Sequence, residues 1–297
     1  MRRKAKGPIK GSQLQVENSS LFGLAAFFKL TKVRSLSDMA ENTVIEYENE
    51  TVKASVEAGI KPLVLNYLPF IRCDSDNPVA YRLTATLRSI IMGELTEKEY
   101  ISVSDKKDCG IDLFKNILKK AVVAAKKFKK AGRNIDFLAV HCPSSAVEKI
   151  DLYEFLAGIK KENPRLDPTR ICLEFDEGVF EKDTESAKKA LLDTKLLGFK
   201  TMIRGCGSET FPVSKMLTVS PDHVVLDPSF TEWAGSRNKP ALVSSFISYL
   251  NSMNVTVYAE GTDEQRKAMR RLDCVGFMLK DVAPLTFEEA IAQKEAE

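Results

Sequence analysis

The chain has 297 residues, of which 44% are hydrophobic and 29% are charged. This composition is typical of a globular protein with a large core, and the length suits one α/β barrel of about 200 to 250 residues with an appendage. The net charge of +3 is almost balanced, which argues neither for nor against nucleic acid, and we expect no nucleic-acid partner. The six cysteines include no C-x-x-C pair and there are only two histidines, which excludes a typical zinc cluster and favours free thiols in the reducing cytoplasm.

The first 56 residues precede the first predicted barrel strand. Polar residues separate the basic start of the chain from an apolar stretch at 21–30, which is too short to span a bilayer and lacks a small-residue cleavage site. We therefore predict an N-terminal extension, 1–56, that is partly helical and has no membrane span. Phe22, Phe27 and Phe28 are expected to be buried against the barrel or in a subunit contact, such as a homodimer. A helix lying on a membrane surface is the alternative.

From residue 62 onward, short apolar runs alternate with amphipathic stretches. The predicted strands are 63–68, 137–141, 171–175, 201–204, 223–227, 255–259 and 275–279, whose continuous apolar character is typical of strands buried on both faces. The predicted helices are 113–130, 146–160, 185–197, 241–251 and 263–272. This alternation predicts a parallel sheet closed into a (β/α)8 TIM-like barrel at 57–290, followed by a short tail at 291–297.

The first predicted helix, 113–130, is rich in lysine on one face. We interpret that face as solvated, with contact to a phosphate group as the alternative.

Polar residues stand at the carboxyl ends of the predicted strands, the end of a barrel that carries functional sites. They are His141, Asp176, Glu177, Arg204, Cys206, Asp227, Glu260 and Asp263. We call this end of the barrel the mouth. A ring of acids around one arginine and one histidine predicts a functional site there, or the remnant of one.

Several short motifs follow one another along the barrel in the order of a known family. T-A-T-L-R at 84–88 stands where a signature E-A-L-x-R belongs, and A-E-G at 259–261 matches directly. Further matching segments are N-Y-L-P-F at 66–70, V-H-C at 140–142, E-F-D-E at 174–177, I-R-G-C-G at 203–207, L-D-P-S-F at 226–230 and P-L at 284–285. In these motifs the chain resembles the EAL domain family of bacterial cyclic di-GMP phosphodiesterases, which implies an EAL-type barrel.

The resemblance also implies which chemistry to look for. In the family, divalent cations bridge a phosphodiester and activate a water molecule, held by the Glu of E-A-L, an Asn, the Glu of T-E and an Asp of D-D-F-G. This chain departs at most positions that bind metal, water or nucleotide. The substituted positions are Leu68, Thr84, His141, Arg204, Gly205, Val225 and Met278, the last of which exchanges with Val275 if a gap is placed differently. The residues retained from the family site are Glu177, Asp227, Glu260 and Arg88.

A fixed positive charge at Arg204, in the place of a metal ligand, repels a divalent ion. We therefore expect no catalytic residues, no metal and no cofactor. We predict instead that Glu177, Asp227 and Glu260 converge on Arg204, and that its guanidinium forms a hydrogen bond with Glu177 or Glu260.

Three functions follow from these observations. The first is a catalytically inactive, cytoplasmic regulatory protein that acts by binding an unknown protein partner, as the resemblance implies for members with eroded motifs. The second is a receptor that binds cyclic di-GMP without hydrolysing it, in which Arg88 contacts a phosphate. The third is an enzyme with a rebuilt active site, in which Cys206 or Cys142 acts as a nucleophile beside His141.

Overall fold

A computed structural model of the protein describes residues 54, 63–89, 93–104, 108–182, 184–209, 211, 213–216, 218–236 and 239–293. The predictions for Phe22, Phe27 and Phe28, and for the rest of the extension up to residue 53, lie outside these residues. Within the described ranges, no helix has both the length and the apolar content needed to cross a bilayer.

The sheet is a closed barrel, as predicted. Its strands are β1 (Leu63–Arg72), β2 (Pro78–Ser89), β3 (Gly93–Leu95), β4 (Leu138–His141), β5 (Ile171–Asp176), β6 (Lys200–Cys206), β7 (His223–Leu226), β8 (Thr256–Gly261) and β9 (Gly276–Leu279). The ring runs β1-β9-β8-β7-β6-β5-β4-β2 and closes through a β1–β2 pairing, while β3 pairs with the end of β2. β1 is antiparallel to both neighbours, and β2 and β4 to β9 pair in parallel around the rest of the ring.

The sequence prediction missed β2 as a strand for a physical reason. Tyr81 and Leu83 are buried and belong to the cluster that includes the helices, whereas Arg82 and Thr84 alternate with them. Alternate residues of a strand point to opposite faces. The strand therefore lacks the continuous apolar run by which the others were predicted.

The helices lie along the chain between the strands. They are α1 (Glu97–Ser104), α2 (Asp108–Lys130), α3 (Ser144–Lys149), α4 (Leu152–Glu162), α5 (Val179–Lys182), α6 (Thr184–Leu196), α7 (Val213–Met216), α8 (Pro228–Ala234), α9 (Pro240–Ser252), α10 (Asp263–Arg270) and α11 (Phe287–Ala292), with a 3-10 turn at Pro168–Arg170. The predicted helix 146–160 is two helices, because Ile150 is extended and Asp151 caps the second by accepting from the Glu154 N–H.

Two apolar clusters form the core. The larger one includes the helices and the outward-facing residues of the strands, and the smaller one fills the barrel interior. The smaller cluster comprises Phe70, Ala80, Phe137, Ala139, Cys172, Met202, Val225, Tyr258 and Met278, with Leu68 and Val79 packed against it. Three of the substituted family positions, Leu68, Val225 and Met278, thus contribute to the apolar packing of the interior.

The six cysteines are all buried and none forms a disulfide, which agrees with the prediction of free thiols.

Candidate functional site

The centre of the mouth is a buried carboxylate, Glu174 on β5. Cys172, Glu174 and Asp176 alternate along this strand, and Cys172 belongs to the interior cluster, so all three share the interior face. The Glu174 side chain is 0% exposed. A buried carboxylate is costly unless it is paired, and two arginines pair with it.

Arg82 of β2 is the first of these partners. Its Nε donates to Glu174 Oε1 at 2.7 Å, and its Nη1 donates to Glu97 Oε2 at 2.5 Å. Glu97 is the first residue of α1, so Arg82 also ties that helix to the mouth. Arg82 is not among the site residues predicted from the sequence. Its position two residues before Thr84 could have identified it, because residues two apart in a strand have their side chains on the same face.

Arg204 of β6 is the second partner. Its Nη2 donates to Glu260 Oε2 on β8, which confirms the predicted hydrogen bond with Glu260. Its Nη1 lies 3.7 Å from Glu174 Oε2, and both atoms are buried without a hydrogen-bond partner among the described residues.

The mouth therefore contains a chain of alternating charges that spans five elements. The order is Glu97, Arg82, Glu174, Arg204 and Glu260. Burial alone would raise the pKa of Glu174, but Arg82 and then Arg204 outweigh it, so that pKa lies below its ordinary value. Burial also opposes the charge on Arg82, yet Glu174 and Glu97 keep the pKa of that guanidinium well above its ordinary value. The buried pair of Glu174 and Arg82 is therefore charged at neutral pH.

Glu177 was expected at Arg204, but its carboxylate lies elsewhere. It follows the end of β5 and accepts a hydrogen bond from the Ser208 hydroxyl. Gly205 lies beside it with φ of +73°, where an added Cβ would overlap the Glu177 carboxylate. The absence of a side chain at Gly205 therefore makes room for Glu177. Burial, and then the nearby carboxylate of Asp227, raise the pKa of Glu177 above its ordinary value.

Three other predicted site residues serve local structure. Asp227 caps α8 by accepting from the N–H and the hydroxyl of Ser229. Asp263 forms ion pairs with other residues of α10. Arg88 extends beyond the mouth on β2, where its side chain is 66% exposed and lies 3.4 Å from Glu94. The predicted convergence on Arg204 thus includes Glu260, but Glu174 takes the place expected for Glu177 and Asp227.

The cysteines near the mouth are buried. Cys142 and Cys206 are both 0% exposed, and burial raises the pKa of the Cys206 thiol to about 12. A nucleophilic thiol needs a lowered pKa and access to its substrate. Neither cysteine meets both conditions.

Comparison with known proteins decides the family. The model of the EAL domain matches residues 53–278, well over half of the chain. The chain is a member of the EAL domain family.

Relatives of this EAL domain are distant in sequence. An uncharacterized protein of Mycobacterium tuberculosis is 22% identical over 213 residues, which are 71% of this chain and 34% of that protein. The chain thus spans about a third of that relative's length. The structure of the PaMucR phosphodiesterase in complex with cyclic di-GMP aligns with a TM-score of 0.68 and 18% identity, over 77% of this chain and 94% of that one. The FimX EAL domain from Pseudomonas aeruginosa bound to cyclic di-GMP aligns with a TM-score of 0.67 and 14% identity, over 80% and 96%.

The EAL family implies divalent cations, and among the residues that the structure describes the mouth offers one set of ligands. Atoms of His141, Glu174 and Asp176 lie within 4.8 Å of one another, and His141 Nδ1 is 3.7 Å from Asp176 Oδ2. However, one oxygen of Glu174 accepts from Arg82 and the other faces Arg204 at 3.7 Å. A divalent cation at Glu174 would lie beside two guanidinium groups that repel it. The family's metal ions therefore do not fit the residues present.

Proposed function

We propose that this EAL domain is a catalytically inactive regulatory protein that acts in the cytoplasm by binding another protein. The observation that carries the proposal is the pairing of Glu174 with both Arg82 and Arg204. Metal-dependent hydrolysis of a phosphodiester needs divalent cations bound at the mouth. Here the two guanidinium groups occupy the space beside Glu174 where such cations would bind. A barrel that keeps the family fold but cannot bind the metal ions for hydrolysis is best suited to bind another protein through its surface.

Other residues of the mouth support the same conclusion. Thr84 is buried and supplies no carboxylate at the signature position. Val225, in the place of the family's lysine, is part of the apolar interior and cannot move a proton. The buried Cys142 and Cys206 also argue against a rebuilt thiol enzyme. The six buried free thiols favour a reducing, cytoplasmic location.

A receptor for cyclic di-GMP is the second candidate. It is favoured by two structural neighbours that are bound to cyclic di-GMP, the PaMucR phosphodiesterase and the FimX EAL domain. Against it, Leu68 is packed on the interior cluster and Arg88 pairs with Glu94 beyond the mouth. These contacts argue against a nucleotide held in the mouth by Leu68 and Arg88.

Hydrolysis measurements on the full chain test the absence of catalysis that both candidates share, and binding measurements separate the two. We expect no turnover of cyclic di-GMP with magnesium, manganese or calcium, under conditions in which an active EAL phosphodiesterase serves as the positive control. Turnover that a chelator abolishes would contradict the proposal. Calorimetry with cyclic di-GMP then tests the receptor function, and binding at micromolar concentration or tighter would favour it over the regulatory one.

The protein partner is tested by affinity capture from the native cytosol. A captured protein counts only if the purified pair binds in calorimetry. Failure of every captured protein to bind in purified form would count against the interaction function.

A further inference from the structure

A second concave surface lies at the opposite end of the barrel from the mouth. It is bounded by the last turns of α2, by the turn that leads into β4, and by the turn between α4 and β5, and it has a volume of about 260 Å³. Both turns precede the amino ends of their strands. We propose that this cavity binds an organic phosphate of about the size of a mononucleotide. The proposal is independent of the mouth and of the regulatory function.

The first support is charge. Five cationic side chains and one carboxylate line the cavity: Lys126, Lys129, Arg133, Arg165, Arg170 and Asp167. The carboxylate of Asp167 already accepts from the N–H and the hydroxyl of Thr169 and lies 3.4 Å from Arg170 Nε. It neutralises at most one of the five positive charges, so the cavity still favours an anion.

The second support is the hydrogen bonding of these cations. Lys126 donates to the Asn163 side chain at 2.6 Å, and Arg170 donates to the Ile135 carbonyl, so both are held by the protein. The guanidinium of Arg133 lies close to the Tyr81 hydroxyl, but its Nε is buried and has no hydrogen-bond partner among the described residues. An unsatisfied buried donor costs about 1–3 kcal/mol, so a rotation of the Arg133 side chain that brings Nε to a phosphate oxygen would be favoured.

The third support is the apolar floor, which distinguishes an organic phosphate from a free anion. Phe128 and Ile135 are buried beneath the cavity, and Leu166 is half-buried at its side. A base or another flat apolar group can lie on this floor while the phosphate pairs with the cations. Pockets for drug-sized ligands measure about 300–1,000 Å³, so this smaller volume suits a mononucleotide better than a dinucleotide.

The lysine face predicted for α2 extends beyond the cavity, since only Lys126 and Lys129 of that face line it. Lys119 and Lys120, for example, are exposed and do not line the cavity. Lys119 therefore provides a matched control, since it is a cation on the same helix outside the proposed site.

The test is calorimetric titration of the full chain with adenosine 5′-monophosphate, with adenosine, and with inorganic phosphate. We expect the mononucleotide to bind at least ten times more tightly than either fragment. Arg133→Gln and Arg165→Gln should each weaken its binding by about tenfold or more, and Lys119→Gln should leave it unchanged. Arg165 is exposed at the rim, so its replacement keeps the test valid if the Arg133 variant does not fold.

Three results would overturn the proposal. One is the absence of binding up to millimolar mononucleotide. Another is equal affinity for inorganic phosphate, which would mean a simple anionic contact without use of the apolar floor. The last is equal weakening by Lys119→Gln, which would mean non-specific attraction to a basic surface.

Discussion

Replacement of Arg82 by Met tests whether two arginines stabilise the mouth in place of metal ions. The change removes the donor that lies 2.7 Å from Glu174 Oε1 and leaves a carboxylate that is 0% exposed. Breaking a buried ion pair by removing one partner costs about 3–5 kcal/mol. Arg204 remains 3.7 Å from the other oxygen and compensates part of the loss. We therefore expect the free energy of unfolding to fall by about 2–4 kcal/mol.

The assay is urea unfolding at pH 7, with the midpoint compared at an unchanged slope. Arg88→Met is the matched control, because Arg88 lies on the same strand but is 66% exposed and pairs at the surface. That variant should lose no more than about 1 kcal/mol. The double variant Arg82→Met/Glu174→Leu should recover a large part of the loss, because it removes both charges and substitutes apolar groups. A loss under about 1 kcal/mol for Arg82→Met, or no recovery in the double variant, would refute the reasoning.

Three further predictions concern individual residues. Arg204→Ala should lower the free energy of unfolding by about 2–4 kcal/mol. Added magnesium should restore part of this stability. A loss as small as that of a surface ion pair would contradict the role of Arg204 as a buried partner of the carboxylates. Burial lowers the pKa of His223 to about 4, so the unfolded chain takes up the proton first, and stability should fall by up to about 3 kcal/mol as the pH drops from 6.5 to 4. The variant His223→Phe should lose less over that range in urea titrations, and an identical loss would exclude His223 as the cause. Gly205→Ala should destabilise by about 2–3 kcal/mol because of its positive φ and the overlap with Glu177, with partial recovery when Glu177→Ala is added, and no recovery would show that the overlap does not matter.

The environment of His223 shows what kind of property only the structure supplies. Its ring stacks on Phe137 with centroids 4.6 Å apart and meets Tyr258 edge-on at 5.6 Å. Both ring nitrogens are buried without a hydrogen-bond partner among the described residues. His223 and Tyr258 come from β7 and β8, and Phe137 directly precedes β4, so their meeting depends on barrel closure. The sequence predicted only that His223 starts a strand.

Much of the fold was predictable from local pattern. Continuous apolar runs separated by amphipathic stretches predicted seven of the eight strands that form the closed ring, because strands buried on both faces carry this pattern. The family also followed from short motifs in order, and the substitution at Arg204 correctly indicated its hydrogen bond with Glu260. Because β2 and β4 to β9 are parallel, a residue near the carboxyl end of any of them is predicted to lie at the same end of the barrel.

The members of the mouth network were decided by tertiary structure. Glu174 and Glu177 stand in one motif, but Glu174 lies within β5 and faces the interior, whereas Glu177 follows the strand's end and turns toward Ser208. Arg82 came to the mouth because the parallel register sets it beside Ala139 of β4. The sequence determines which side chains are available and where strands run. Register and barrel closure determine which charges meet, because an ion pair depends on distances of a few ångströms between elements far apart in the chain.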